Sequence, residues 1–232
     1  MFNLQFDNVQ LGKLFDWQLA WESLPFLLEG IPATLSVSFI GMGIGLVLGF
    51  FLALARGSSR IVLRWPARIY ISFMRGTPIL VFLFILYSGL PVVGIELSAF
   101  LAASLAFGLN SAAYIAEINR SSLNSVPQGQ WESATSLNMG YWLTLRKIIL
   151  PQATRIAIPP LANVYLDLVK ATSLAAVITV PELFQKAQIV AGRTYDSMTM
   201  YILVALIYWP ICMVISFMQD RMEKRFSRFM EK

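Results

Sequence analysis

Asp167 and Lys170 stand three residues apart in a run, Ile156 to Pro181, that is otherwise free of charge. Insertion scales put a charged side chain at the bilayer centre at a cost of about 2.5 to 3.5 kcal/mol, so two in one apolar run need partners or a wet cavity. On a helix the pair are neighbours and can neutralise each other. A second reading stands beside that one: Lys170 faces a substrate carboxylate and Asp167 a substrate ammonium, with Asn163, Thr172 and Ser173 supplying hydrogen bonds. An amino acid zwitterion needs both signs of charge in place of its hydration, and no other apolar run carries both. Asn110, Tyr114 and Thr77 are further pathway candidates, although an Asn in a membrane helix also bonds neighbouring helices. Arg75-Gly76-Thr77-Pro78 also reads as a plain helix boundary, because Pro78 lacks a backbone donor and restricts Thr77.

The elements that position these groups follow from composition. The 232 residues are 57% hydrophobic and 13% charged, whereas soluble chains run at roughly 45–50% and about 25%. That balance excludes a disordered segment, a disulfide scaffold and an ordinary cytosolic enzyme. With no histidine and one cysteine, Cys212, the chain lacks the commonest metal ligand and any internal disulfide. No metal or cofactor is expected. Gly12-Lys13 is followed by Leu14, so no phosphate-binding loop of the G-x-x-x-x-G-K-[ST] type occurs.

Five apolar runs predict an all-α, polytopic membrane protein with spans at 30–55, 77–95, 97–116, 156–181 and 197–219. Pro159 and Pro160 predict a break or kink in the fourth span, and Trp209-Pro210 a bend in the fifth. Gly41, Gly45 and Gly49 form a small-residue face suited to close helix packing. Arg56, Arg60, Arg64, Arg68 and Arg75 follow the first span, Arg120, Arg146, Lys147 and Arg155 the third, and Arg221, Lys224, Arg225, Arg228 and Lys232 the fifth. The other side holds Lys13, Lys186 and Arg193. This asymmetry predicts an N-terminus outside and a C-terminus inside. The arginines at 56, 60, 64 and 68 suit anionic lipid headgroups and not nucleic acid. The extracytoplasmic arm, 1–29, carries Asp7, Asp16, Glu22 and Glu29 against one Lys, the wrong charge for a secretory leader, so no cleavage is expected. Trp17 and Trp21 on that arm suit a headgroup-level anchor. No internal repeat is visible, so a solute path is expected between two copies.

The cytoplasmic stretch 117–155 predicts a short helix with Ser125 as N-cap and Pro127 in its first turn. Trp131 and Ala134 with Leu137 or Asn138 recur at helical spacing, and Asn138 to Gly140 stops the helix. On these grounds alone it is an amphipathic helix on the cytoplasmic face. Glu132-Ser133-Ala134, followed by Leu150-Pro151, resembles the EAA loop of ABC importer permeases, whose short helix docks into a cleft on the ATPase subunit. Phe73-Met74-Arg75-Gly76-Thr77-Pro78, the segment Ala113 to Arg120, Ser125 to Gln130 and Leu168 to Leu174 are similar to the polar amino acid branch of that family. Val180 to Gln188 with Met200-Tyr201 is most similar to the cystine permeases.

The resemblance covers roughly residues 23 to 222. It implies one permease domain of the type I ABC importer fold in a bacterial cytoplasmic membrane, importing a polar amino acid, L-cystine foremost, by alternating access. It also implies an ATPase pair that hydrolyses ATP on separate subunits, an extracytoplasmic binding protein and a second permease copy, with a homodimer expected. Gln130, Trp131, Glu132, Ser133, Ala134, Leu137, Asn138 and Pro151 become the expected ATPase-coupling residues. The chain departs from the family pattern at Ser133 and Asn138, where Ala and Gly are usual, and at Ala171, where relatives carry Asp directly after the lysine. Phe82 stands where relatives often have Gln. A secondary transporter or a membrane assembly protein without an ATPase is the competing expectation.

Overall fold

The computed structural model describes residues 14–227, and among them every regular element is helical. Lys13, Arg228 and Lys232, used in the charge count, and Asp7 lie outside the described residues. Helix α1 (Trp17–Leu28) is capped by the Asp16 carboxylate, which accepts from the Gln18 and Leu19 N–H groups. Helix α2 (Ile31–Gly57) begins with proline in its first turn, where a missing N–H costs nothing. Its 27 residues reach about 40 Å, enough to cross a hydrocarbon core of roughly 30 Å.

After α3 (Ile61–Gly76) the chain bends by 104° into α4 (Ile79–Phe84), a π-turn (Ile85–Gly89) and a 3-10 turn (Leu90–Val93). Helix α5 (Ala99–Asn124) follows, capped by Ser98. The stretch after α5 folds into α6 (Gln128–Ser136), α7 (Tyr141–Thr144) and a π-turn (Leu145–Ile149) that leads into α8 (Leu150–Ala171). A 3-10 segment (Thr172–Ile178), α9 (Leu183–Thr194) and α10 (Ser197–Ser227) complete the chain. Four helical stretches are long and apolar enough to cross a membrane, Ile31–Gly57, Ala99–Asn124, Tyr141–Ile178 and Ser197–Lys224; the bent pair makes up to five.

Two helices, α2 and α5, form the centre. Gly41, Gly45 and Gly49 are buried against Phe107, Ser111 and Ile115. A Cβ on Gly45 would lie 2.2 Å from Ser111 Oγ, and one on Gly49 2.8 Å from Ile115 Cγ2, so this close approach admits only hydrogen at both positions. Phe107, Leu83, Ile71 and Ala175 gather α3, α4, α5 and the 3-10 segment around that seam. A second core joins α1, α9 and α10 through Leu27, Leu183, Ala187 and Met200.

Two local expectations differ, a break in the fourth span and the Ser125 N-cap. The fourth apolar run does not break at Pro159 and Pro160, which lie inside an uninterrupted α8; the irregularity comes at the 3-10 segment beyond Lys170. There Thr172 and Ser173 donate their hydroxyls to the carbonyls of Val169 (2.7 Å) and Lys170 (2.8 Å), tightening the last turn. Helix α10 likewise continues past Pro210. Ser125 closes α5, donating to the Ser121 carbonyl, and α6 opens at Pro127 without a side-chain cap.

Candidate functional site

Asp167 and Lys170 form an ion pair of 2.8 Å on the last turns of α8, with their side chains 74% and 54% exposed on the protomer. Both belong to a helix of spanning length, where hydrocarbon cannot solvate them. Asp167 borders a cavity of about 280 Å³ that Asn110 and Tyr114 of α5, Ile79 of α4 and Ala171 also line. Asn110 is held by α3, its Nδ2 donating to the Met74 carbonyl (2.8 Å). The Arg75 guanidinium sits 5.5 Å from the Tyr114 ring centroid, close enough for a cation–π contact. One wall of the cavity is therefore anionic and another is a polar amide beside an aromatic face.

The remaining pathway candidates are placed differently. Thr77 is the extended residue at the corner between α3 and α4 (φ −113°, ψ 136°) and does not line the cavity. Asn163 accepts from Gln219 Nε2 at 2.8 Å, joining α8 to α10. Ser173 is folded onto the Lys170 carbonyl. Thr172 is fully buried, with its hydroxyl 3.3 Å from that of Tyr208.

That contact opens onto a buried network to which sequence reasoning assigned no role. Glu182 is 0% exposed; its carboxylate caps α9 by accepting from the Gln185 N–H (2.7 Å) and accepts a hydrogen bond from the Tyr208 hydroxyl at 2.8 Å. Burial pushes the Glu182 carboxyl above its ordinary range, while the N–H groups of Phe184 and Gln185 and the Tyr208 hydroxyl pull it down. Next to it the Leu183 N–H donates to Thr34 Oγ1 (3.3 Å), tying this junction to the start of α2. An acid directly after Pro181 was the available signal, since carboxylates favour helix N-caps.

In the stretch between α5 and α8, α6 is held by one face. Ala134 is buried, Trp131 stacks on Tyr141 (centroids 5.5 Å apart, 21° between planes) and Gln130 Oε1 accepts from Gln152 Nε2 of α8 at 3.1 Å. Trp131 also packs on Val126, Ile149 and Ala153. Glu132, Ser133 and Asn138 are exposed. Leu137 lies past the end of α6 and is 74% exposed, so it does not share the buried face. Asn138 adopts the left-handed conformation (φ 57°) at the stop, which Asn tolerates in place of Gly. Pro151 lies in the first turn of α8, just after the π-turn. Arg56 of α2 and Arg120 both pair with Glu117 in the C-terminal part of α5.

The family described as binding-protein-dependent transport system inner membrane component matches residues 45–228. This chain belongs to that family. The permease is 58% identical over 223 residues to the probable amino-acid ABC transporter permease protein YckA of Bacillus subtilis, covering 96% of this chain and 99% of that one. It is 42% identical to the L-cystine transport system permease protein TcyB of Bacillus subtilis, over the whole of both chains. A solved structure described as an amino acid ABC transporter with histidines superposes with a TM-score of 0.87 at 34% identity, covering 90% of this chain and 98% of the other. The permease is thus an amino acid ABC transporter permease of the type I importer fold, a multi-pass component of a bacterial cytoplasmic membrane. Permeases of this family are not themselves enzymes, and membership implies ATPase and binding-protein partners and permease pairing.

Proposed function

We propose that this permease imports L-cystine or a closely similar polar amino acid by alternating access as a homodimer, with its N-terminal arm outside and its C-terminus in the cytoplasm. The carrying observation is the exposed Asp167–Lys170 pair beside the cavity on a helix of spanning length. A second copy facing this surface would enclose both charges in a watery path instead of lipid, and a zwitterion entering it meets an ammonium and a carboxylate. A cystine molecule carries two such ends, and the 42% identity to TcyB supports that substrate. The exposed face of α6, with Glu132 and Ser133, is the surface for the ATPase, gripped from behind through Trp131 and Ala134. Asn138 follows the end of α6 and Pro151 opens α8, and Leu137 adds an apolar contact.

Reconstitution with the ATPase and binding protein tests this. Radiolabelled L-cystine should accumulate only with ATP, and Lys170→Ala at normal membrane abundance should abolish uptake while leaving the ATPase bound. Glu132→Lys should release the ATPase on gentle extraction. Accumulation by the permease alone, driven by an ion gradient, would replace the scheme with secondary transport.

A further inference from the structure

The 3-10 segment that follows Lys170 is anchored from outside its own helix. Thr172 Oγ1 lies 2.7 Å from the Val169 carbonyl and 3.3 Å from the Tyr208 hydroxyl, which itself lies 2.8 Å from Glu182 Oε2. Tyr208 has one hydroxyl proton and gives it to the carboxylate, so at the Thr172 contact the threonine O–H is the donor, shared with the Val169 carbonyl. The Glu182 end of this hydrogen-bond series is fixed. Glu182 is bound to the first turn of α9 through the Gln185 N–H, and the adjacent Leu183 N–H holds Thr34, whose hydroxyl donates to the Gly30 carbonyl (3.2 Å). A Cβ on Gly30 would lie 2.6 Å from the Leu183 nitrogen, so the start of α2 presses directly on this junction. Thr34, Thr172 and Glu182 are all fully buried, and in such surroundings each polar atom needs its partner.

We propose that Tyr208 is a positioning residue for Lys170. By holding Thr172 against the Glu182 anchor it fixes the change from α-helix to 3-10 turn two residues beyond the lysine, and so sets where the ammonium stands relative to Asp167 and the cavity. The same anchor spans α2, α9 and α10, so the lysine keeps its place only while these three helices keep theirs. This rests on Lys170 being a substrate group.

Tyr208→Phe keeps the ring and deletes only the hydroxyl. In the reconstituted transporter, with whichever of radiolabelled L-cystine, L-glutamine and L-histidine it takes up, the apparent KM should rise about three- to tenfold, the ordinary cost of one lost hydrogen bond. Maximal rate, membrane abundance and ATPase retention should stay at the parent level. Thr172→Val should raise KM similarly, and the double variant should raise it no further than either single one, because both cut the Thr172–Tyr208 link through which the anchor reaches Lys170, even though each also removes a second bond, to Val169 or to Glu182. An unchanged KM in Tyr208→Phe, additive effects in the double variant, or a fall in abundance and maximal rate without a KM change would each overturn the positioning role. Lys170→Ala separates this from the parent reading: if it abolishes uptake while Tyr208→Phe is silent, only the positioning role falls, and if it transports normally, the substrate role of Lys170 falls with it.

Discussion

At the scale of single residues the ion pair of α8 holds two meanings that differ in what neutralisation does. The two charges are neighbours on one helix and neither is packed into the protomer's core, so no tertiary contact of the fold depends on the pair. If Asp167 and Lys170 serve only each other, Asp167→Asn combined with Lys170→Gln relieves the membrane of two charges and transport continues. If they receive a zwitterion, the doubly neutral variant is abundant and folded yet takes up no substrate. Uptake measured at matched membrane abundance decides between the two, and loss of uptake is the expected result. Sequence spacing was enough to bring these two side chains together, because i and i+3 neighbours are a local property of a helix. The role of Thr172 was not legible in the same way: its partner Tyr208 is 36 residues distant, and only the fold makes them neighbours.

At the scale of elements the α2–α5 seam is the least forgiving. Overpacking a close interface costs typically about 1 to 3 kcal/mol, and a side chain on Gly49 meets Ile115 and the Ala112 carbonyl within 3 Å. Gly49→Val is therefore expected to lower thermal stability and membrane abundance. Gly43→Ala, where a Cβ meets nothing within 4 Å, should leave both unchanged. Melting of the detergent-solubilised protein followed by tryptophan fluorescence checks the pair. The glycine spacing foretold this interface because period-four small residues define one helix face. The corner between α3 and α4 escaped it, since Gly76-Thr77-Pro78 announces a boundary but not the angle that the chain takes there. Two prolines in α8 misled in the opposite direction. Each removes one intrahelical hydrogen bond, and the helix tolerates that loss, whereas two hydroxyls folding back onto carbonyls reshape its end.

At the scale of the whole molecule the proposal gives each protomer half of the pathway. The sole cysteine makes its other half accessible to experiment: Cys212→Ser yields a chain without thiols, and Asp167→Cys in that background places one thiol on the face assigned to the second copy. Mild oxidation or a short bifunctional reagent should convert it to a covalent dimer in native membranes, while Phe51→Cys, on the exposed face of α2, should stay monomeric. An exclusively monomeric Asp167→Cys band would remove the facing-copies arrangement. The overall class of the chain was readable because hydrophobic run length and charge asymmetry are imposed by the bilayer on the sequence itself. The junction at Glu182 was not, since a lone acid after a proline carries no mark of the helices that will enclose it.

Helix α8 runs without interruption from its root beside Gln130 to the turn that bears Lys170, about 33 Å at 1.5 Å per residue. In the coupling proposed above such a strut acts as a crank: tilt its foot by a few degrees and its head swings by an ångström or two. The two prolines lie midway along it, so flexural compliance there would set how much of a pull on α6 reaches Lys170.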